Sequence, residues 1–201
     1  MRDKKQTLRA RVTLQRESLA PTKLHVWNRV IQQKALGFPL YRSTRNVALY
    51  SSIGNEVSTI AIAEDAFKTG KAVFYPRMVR AGRVELVRVE SREDLQPGSY
   101  RILEPRNGRA IAKEELEAAM IFVPGVAFDL AGRRLGRGQG AYDRLLEQAG
   151  AKPRFVALAY DFQIVDEVPT DERDRKVHYI ITERMIVHCR DAVPASWNQT
   201  C

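Results

Sequence analysis

A stretch from Ile121 to Gln148, IFVPGVAFDLAGRRLGRGQGAYDRLLEQ, constrains the fold of this chain more than any other part. It opens with a short apolar run, Ile121 to Val123, that predicts a buried strand, and it closes with the apolar spacing of a helix from Tyr142 to Gln148. A loop rich in glycine and arginine lies between them. This order is typical of a phosphate site, because glycines let backbone N–H groups approach an anion and a helix N-terminus adds a partial positive charge.

The arginines of this loop help to decide between a structural turn and an anion site. The loop has neither the G-K-[ST] of the Walker pattern nor G-x-G-x-x-G spacing, so glycine spacing alone leaves both interpretations open. Arg133, Arg134 and Arg137 supply permanently charged donors for phosphate or carboxylate oxygens, which favours the anion site. Asp143, at the head of the helix, either complements the helix dipole or holds a magnesium ion that the phosphates share.

Apolar segments alternate with helical segments along the rest of the chain, which indicates an α/β fold. We expect a three-layer α/β/α architecture with a mostly parallel, Rossmann-like central sheet that binds its ligands at the carboxyl ends of the strands. The 201 residues are most economically one domain, predicted to span 1–190, with a flexible tail over 191–201. The expected helices are Asp3–Ser18, Thr22–Leu36, Val57–Lys68, Ala112–Ala119 and Tyr142–Gln148; the expected strands are Asn46–Tyr50, Ala72–Tyr75, Arg83–Val89 at an edge, Ile121–Val123, Arg154–Tyr160 and a closing strand before Glu183; Leu95–Arg106 is expected to be a loop.

The formal net charge of +9 favours anionic partners such as nucleotides, polyglutamates, nucleic acid or a membrane surface. The basic residues are dispersed and do not form one run, which makes a nucleic-acid-binding tail the weaker interpretation. Cys189 and Cys201 have no metal-binding spacing and make no disulfide framework, which suits a reducing compartment. No apolar run is long enough to span a membrane and no signal-peptide core is visible, so we expect a cytoplasmic protein.

Two further places in the chain carry charges with more than one interpretation. Lys5 and Arg9 lie on neighbouring turns of the first predicted helix, where they form either a solvated basic face or a pair that holds an anion between them. Glu56, just before the helix predicted at Val57, is either a favourable charge at a helix N-terminus or a ligand-binding carboxylate. The residues alone leave both pairs of alternatives open.

The segment PGVAFDLAGRRLGRGQGAYDRLL resembles the signature of the 5-formyltetrahydrofolate cyclo-ligase family, whose members are also called methenyltetrahydrofolate synthetases. The resemblance covers roughly Lys5 to Glu183: KQTLR is similar to the family's K-x-x-L-R, YPRM and ILEP match further family features, and DFQIVDEVPTDERDRKVHYIITE matches its last motif. In that last motif Gln163, Pro169 and Thr182 fall on the family's Gln, Pro and Thr.

The resemblance implies an ATP- and Mg²⁺-dependent ligase of one-carbon metabolism. It would convert 5-formyltetrahydrofolate, including polyglutamylated forms, to 5,10-methenyltetrahydrofolate with release of ADP and phosphate. The formyl oxygen is a poor leaving group as hydroxide, so its phosphorylation to an iminophosphate-type intermediate would let N10 close the ring. Because that oxygen is itself the nucleophile toward phosphorus, no catalytic Ser, Cys or His is required. We expect a monomer that binds ATP and folate.

The resemblance also implies a role for each candidate site residue. Arg137 and Tyr142 are the expected catalytic residues, and Asp143 and Asp174 are the expected magnesium ligands. The expected ATP-binding residues are Lys5, Arg9, Arg134, Leu135, Gly136, Arg137, Gly138, Gln139, Gly140, Ala141 and Tyr142. The expected folate-binding residues are Ser51, Glu56, Arg137, Gly138, Gln139, Gly140 and Tyr142. Glu56 would accept hydrogen bonds from the pterin 2-amino group and ring N–H.

Three positions depart from the family's pattern. Gln139 stands where relatives often have Lys or Gly, which removes a possible charge from the γ-phosphate, and Ala141 stands where they have an aromatic wall of the folate pocket. His178 stands where the family commonly carries a second acidic residue. We expect its imidazole to be packed or half-exposed and to take no part in magnesium binding, since Mg²⁺ takes oxygen ligands.

Two other functions are compatible with such a fold. An enzyme that acts on a sugar phosphate without ATP would leave the pair of Lys5 and Arg9 unexplained. A non-catalytic protein could bind folate or nucleic acid through its charge of +9. Salt-sensitive binding of RNA without ATP turnover would identify that second case.

Overall fold

The computed structural model describes residues 1–79, 83–98, 102–138, 140–170 and 174–189. The helices are α1 (Arg2–Glu17), α2 (Pro21–Gly37), α3 (Pro39–Ser43), α4 (Ile60–Lys68), α5 (Lys113–Glu117) and α6 (Ala141–Ala149). The strands are β1 (Asn46–Ala48), β2 (Ala72–Met78), β3 (Val84–Val89), β4 (Leu95–Pro97), β5 (Leu103–Pro105), β6 (Ala119–Val123), β7 (Ala127–Phe128), β8 (Arg134–Leu135), β9 (Arg154–Leu158), β10 (Tyr179–Ile181) and β11 (Ile186–His188).

The centre of the fold is a seven-stranded sheet with the order β11-β10-β9-β6-β1-β2-β3. The five inner strands run parallel, and the antiparallel strands β3 and β11 form the two edges. Every residue of β6 is buried, as expected for a continuous apolar run in a parallel sheet that is covered on both faces. The predicted mostly parallel α/β architecture is confirmed.

Helices cover both faces of this sheet. On one face Ile31 of α2 and Ile62 of α4 pack in a core with Val47 of β1. On the opposite face Leu146 of α6 packs in a second core with Ile121 of β6. Burying one such side chain contributes about 1.5–3 kcal/mol. This packing fixes α6 against the sheet, and with it the end of the glycine-rich loop that leads into the helix.

α1 covers a different part of the molecule, the short ribbon formed by β7 and β8. Leu8 and Val12 of α1 pack in a third core with Ala127 of β7 and Leu135 of β8. The ribbon follows β6 along the chain, so this packing brings the first helix to the carboxyl end of the sheet. Arg9, between the two apolar residues of α1, is thereby placed against the glycine-rich loop.

Several local predictions are wrong. The predicted loop from Leu95 to Arg106 contains an antiparallel hairpin of β4 and β5, whose prolines at both strand ends suggested a loop. α4 begins at Ile60 and not at Val57, because the Val57 side chain is buried in the core and the Thr59 hydroxyl donates to the Tyr50 carbonyl at 2.7 Å. The ribbon of β7 and β8 and the edge strand β11 were not predicted, since each is only two or three residues long.

Two further expectations concern the C-terminal tail and membrane-spanning helices. The tail predicted over 191–201 lies outside the described residues. Among the helices that the structure describes, none has the length and apolar character needed to cross a membrane.

Candidate active site

Two clefts open side by side at the carboxyl ends of the parallel strands. The apolar cleft is lined by Ser51, Ile53, Glu56, Pro76, Met78, Val84, Ile102, Glu104, Pro124, Gly125, Arg134, Gly136, Arg137, Gly140, Ala141, Tyr142 and Asp143. The basic cleft is lined by Met1, Arg2, Lys5, Gln6, Arg9, Arg134, Leu135, Gly136, Arg137, Gly138, Gly140, Asp143, Arg144, Glu147 and Asp174. The two sets share five residues, all from the glycine-rich loop and the start of α6. That segment is the wall between the clefts.

The apolar cleft has the character of a small-molecule site and is open to solvent at its mouth. Apolar side chains such as Pro76, Met78 and Ile102 form much of its lining, and a few polar groups converge on it. Ligand pockets of this kind bind the flat, apolar body of a ligand and fix its orientation through those polar groups.

The basic cleft gathers the cations of α1 opposite the glycine-rich loop. Lys5 donates from Nζ to the Asp174 carboxylate at 2.6 Å, and both side chains are nearly buried. Arg9 donates from Nε to the Gly136 carbonyl at 2.8 Å. Both cations line the cleft, so the interpretation of an anion site is favoured over a solvated basic face. Asp174 supplies the negative group that offsets the repulsion expected between two cations on neighbouring turns.

Arg134 stands at the base of the shared wall. It is 4% exposed, donates to the Asp143 carboxylate and also donates to the Pro124 carbonyl at 3.3 Å. Its Nε has no hydrogen-bond partner among the described residues. A buried cation of this kind favours an anion beside it, and in this structure that anion is the Asp143 carboxylate.

Arg137 and Glu56 meet on the rim of the same wall. The Arg137 guanidinium lies 2.8 Å from the Glu56 carboxylate, which also accepts the Ile53 N–H at 2.9 Å. Arg137 is 44% exposed, whereas the Glu56 side chain is 8% exposed. Ser51 also lines the apolar cleft and donates from its hydroxyl to the Leu103 carbonyl at 2.6 Å. Glu56, which was predicted to bind the pterin, and Arg137, which was predicted to bind phosphate, thus form an ion pair in this structure.

Tyr142 enters the apolar cleft from the first turn of α6. Burial raises the pKa of its phenol, and the nearby Glu56 carboxylate raises it further. The phenol is therefore protonated at neutral pH. It can donate a hydrogen bond to a ligand but does not act as a base.

The glycines of the shared wall adopt backbone conformations that other residues rarely adopt. Gly138 has φ +100° and Gly140, which caps α6, has φ +66°. A Cβ at Gly136 would lie 2.9 Å from the Arg134 guanidinium. These glycines let the loop backbone pass close to the arginines. Such backbone conformations can also turn N–H groups toward an anion.

Leu135, Ala141 and Gln139 were also predicted to bind ATP, and each has a different position relative to the clefts or to the described residues. The Leu135 side chain is buried in the core beneath α1, so only its main chain is available to a ligand. Ala141 lines the apolar cleft. Gln139 lies outside the described residues.

Asp143 and Asp174 both line the basic cleft, each beside a cation: Asp143 beside Arg134 and Asp174 beside Lys5. Within the described residues no group of three or more His, Cys, Asp or Glu side chains could hold a metal ion by itself. Magnesium bound with nucleotide needs fewer protein ligands, because one or two carboxylates suffice when phosphates and water complete its shell. Carboxylate oxygens are ligands that magnesium prefers, so the chemistry of the two side chains suits that kind of site.

Arg133 and Asp129 have structural roles that the sequence analysis missed. Arg133, counted there among the anion-binding arginines, instead pairs with the Asp129 carboxylate at 2.6 Å and with Glu167 at 2.9 Å. Asp129 is 1% exposed and also accepts the N–H groups of Ala131, Arg133 and Val168. The D-x-x-x-R spacing could have indicated this pair. Together these contacts hold the turn between β7 and β8.

The residues matched to the family's last motif brace the site or lie away from it. Gln163 donates to the carbonyls of Gly125 and Val126 at 3.0 and 2.9 Å, which fixes the chain after β6. Thr182 is fully buried and its hydroxyl accepts two backbone N–H groups of the following turn. His178 accepts the Phe155 N–H at its Nδ1 at 3.0 Å, and burial lowers the pKa of its imidazole.

Comparisons with known proteins show which family the chain is similar to. Residues 1–183 match the 5-formyltetrahydrofolate cyclo-ligase family. The chain is 34% identical over 165 residues to 5-formyltetrahydrofolate cyclo-ligase of Mus musculus, covering 77% of this chain and 81% of the relative. It is 31% identical over 174 residues to the Haemophilus influenzae protein of the same name, covering 85% and 93%. The NMR structure of Aquifex aeolicus 5,10-methenyltetrahydrofolate synthetase is similar, with a TM-score of 0.82, 33% identity and 94% of each chain covered.

Proposed function

The chain belongs to the 5-formyltetrahydrofolate cyclo-ligase family, and we propose that it joins the formyl carbon of 5-formyltetrahydrofolate to N10 in a reaction that consumes ATP and requires Mg²⁺. One observation supports the proposal most: a single glycine-rich wall separates a cleft suited to a flat apolar ring from a cleft lined by cations. A reaction between a pterin-bound formyl group and a triphosphate needs that arrangement, because the two reacting groups must meet at one boundary.

The pterin occupies the apolar cleft, and the triphosphate occupies the basic cleft. Lys5 and Arg9 of α1 and the backbone N–H groups of the loop bind the phosphates. Glu56 accepts from the pterin 2-amino group and ring N–H, and the protonated phenol of Tyr142 donates to the substrate. The formyl group then lies at the shared wall, next to Arg137.

The chemistry balances without a side-chain nucleophile. The formyl oxygen attacks the γ-phosphorus, the bond between that phosphorus and the β,γ-bridging oxygen breaks, and ADP leaves. The resulting N5=CH–O–phosphate carries a carbon that N10 attacks with its lone pair. The carbon–oxygen bond then breaks, phosphate leaves with the former formyl oxygen, and N10 loses its proton as the methenyl cation forms.

Arg137 takes the role of a charge-stabilising residue. In the structure its guanidinium pairs with Glu56 from the wall between the clefts. The same guanidinium can turn to the transferring phosphoryl group, where negative charge develops, while the pterin donors take its place at Glu56. Placed donors of this kind supply a large part of the catalysis in phosphoryl transfer.

Asp143 and Asp174 would hold the magnesium ion together with phosphate oxygens. When bound, the ion neutralises phosphate charge. Their present partners, Arg134 and Lys5, lie in the same cleft. These cations keep the carboxylates oriented and can turn to the phosphates themselves.

An absorbance assay tests the proposal. The full chain is incubated with 5-formyltetrahydrofolate, with ATP, or with both, each with and without Mg²⁺, and the methenyl product is followed by its absorbance. We expect product only with both substrates and the metal present. A folded protein that forms no product under any condition, or forms it without ATP, contradicts the proposal. A salt-sensitive gel shift with RNA in that case would point to the non-catalytic alternative.

A further inference from the structure

Arg16 is a buried cation of α1 to which the sequence analysis assigned no role. It is 8% exposed, and its Nε has no hydrogen-bond partner among the described residues. Arg16 lies in the last turn of α1, where a cation complements the helix dipole. An exposed arginine would serve the dipole equally well, so the dipole does not explain the burial. A buried cation at this position therefore indicates a negative group that it serves.

The course of α1 places Arg16 near the wall between the two clefts. Arg9 of the same helix donates to the Gly136 carbonyl at 2.8 Å. The next residue of the loop, Arg137, pairs with Glu56 at 2.8 Å. Arg16 follows Arg9 by seven residues, which is about two turns and roughly 10 Å along the same face of a helix. One arginine of α1 thus contacts the loop, and a second lies farther along the face that the loop covers.

The electrostatic neighbours of Arg16 agree with that placement. Burial lowers the pKa of its guanidinium, the Glu56 carboxylate opposes this shift, and the Arg137 guanidinium adds to it. An arginine stays protonated at neutral pH all the same. Glu56 therefore has two cations near it: Arg137, which is 44% exposed and pairs with it at 2.8 Å, and Arg16, which is buried.

Glu56 needs an opposite charge throughout the proposed reaction. Its side chain is 8% exposed, and a buried carboxylate that loses its counter-charge is strongly destabilised. Under the proposed function Arg137 turns to the transferring phosphoryl group, and the pterin donors that replace it at Glu56 are neutral. They satisfy hydrogen bonds of the carboxylate but do not balance its charge. A second cation that stays in place would do so.

We propose that Arg16 is a positioning residue that balances the charge of Glu56 while Arg137 turns to the phosphoryl group, an inference that rests on the proposed function. Among the described residues, those that line the two clefts do not include Arg16. It therefore acts on the pterin through Glu56 and not by contact. Glu56 keeps a counter-charge when both substrates are bound, so the phosphates can take Arg137 without weakening the binding of the pterin.

A double-mutant cycle tests the inference. The dissociation constant of 5-formyltetrahydrofolate is measured by calorimetry on the full chain, with Mg²⁺ and the β,γ-imido analogue of ATP. The proteins are the wild type, Arg16→Met, Glu56→Gln and the variant that carries both changes. We expect Arg16→Met to weaken folate binding roughly tenfold, a size typical of coupling between interacting residues. In the Glu56→Gln background the same change should have no effect, because a neutral amide needs no counter-charge.

Three further variants make the result specific. Arg16→Lys keeps the charge and should keep most of the folate affinity. Arg16→Gln keeps a donor without the charge and should show the same loss as Arg16→Met, which keeps the test decisive if Arg16→Met does not fold. Arg11→Met makes the same change at an exposed position of α1 and should leave the affinity unchanged.

The outcomes separate this inference from the proposed function. A wild type that makes methenyl product, while Arg16→Met and Arg16→Gln bind folate as the wild type does, overturns this inference alone. A loss that is equal with and without Glu56→Gln, or that Arg16→Lys shows in full, means that Arg16 acts by packing and also overturns it. Absence of product from the wild type overturns the proposed function.

Discussion

The Arg137 guanidinium lies 2.8 Å from the Glu56 carboxylate at the wall between the two clefts. The resemblance to the family implies that Glu56 binds the pterin and Arg137 both substrates, and the fold joins the two residues across 81 positions of the chain. Under the proposed function, phosphates and Glu56 would compete for one guanidinium, and pterin donors and Arg137 would compete for one carboxylate. A ligand in either cleft would then change the charge that the other cleft presents.

Arg137→Ala should lower kcat/KM for ATP by about tenfold to a hundredfold, because a charge-assisted hydrogen bond contributes about 1.5–3 kcal/mol. The side chain is 44% exposed, so the melting temperature should change little. Steady-state kinetics at saturating folate measure the effect. Arg92→Ala removes a comparably exposed arginine that pairs with Glu64 at 3.6 Å, and it should keep wild-type kinetics. Wild-type kinetics in Arg137→Ala would show that the Arg137 side chain does not contact the phosphates of ATP during the reaction.

Glu56→Gln should raise KM for 5-formyltetrahydrofolate more than KM for ATP. An amide accepts through one oxygen only and cannot accept from both the 2-amino group and the ring N–H as a carboxylate does. Two substrate titrations on the same preparation measure the two constants. Glu64→Gln, on the exposed side of α4, is the matched control. Equal increases in both constants would mean that Glu56 only holds Ile53 and Arg137 in place and does not bind the pterin.

Arg9→Ala should weaken ATP use by a similar factor of about tenfold to a hundredfold. It removes a cation of the basic cleft and the bond from Arg9 to the Gly136 carbonyl, which helps to hold the loop. Arg11→Ala removes an exposed cation from the same helix and controls for net charge. If both variants change KM for ATP equally, the effect of Arg9 is long-range electrostatics and not contact with phosphate.

Asp143→Asn and Asp174→Asn should each raise the magnesium concentration needed for half-maximal activity at fixed ATP. Each change removes a charged oxygen ligand from the basic cleft. His178→Asn should leave that midpoint unchanged, because the His178 Nδ1 already accepts the Phe155 N–H within the sheet. If His178→Asn shifts the midpoint as far as Asp174→Asn does, the assignment of the magnesium ligands is wrong.

Much of the fold could be predicted from the sequence because its elements carry local patterns. The apolar run of β6 and the apolar spacing of α6 each fix one element without reference to distant residues. Short elements carry too few residues for such a pattern. The ribbon of β7 and β8 and the β4–β5 hairpin depend on pairing partners, and their prolines and glycines suggest loops when considered alone.

Predicted site residues from distant parts of the chain line the two clefts, but their contacts could not be predicted from the sequence. The motifs placed Lys5 and Asp174 in one site, yet their ion pair joins positions 169 residues apart and follows from the packing of α1 on the ribbon.

An isotope experiment shows whether the formyl oxygen itself receives the γ-phosphoryl group. 5-Formyltetrahydrofolate labelled with ¹⁸O in the formyl group is converted by the full chain with unlabelled ATP, and the released phosphate is examined by mass spectrometry. We expect one ¹⁸O atom in the phosphate released for each methenyl group formed. Methenyl product with unlabelled phosphate, and with the label in water, would rule out phosphorylation of the formyl oxygen.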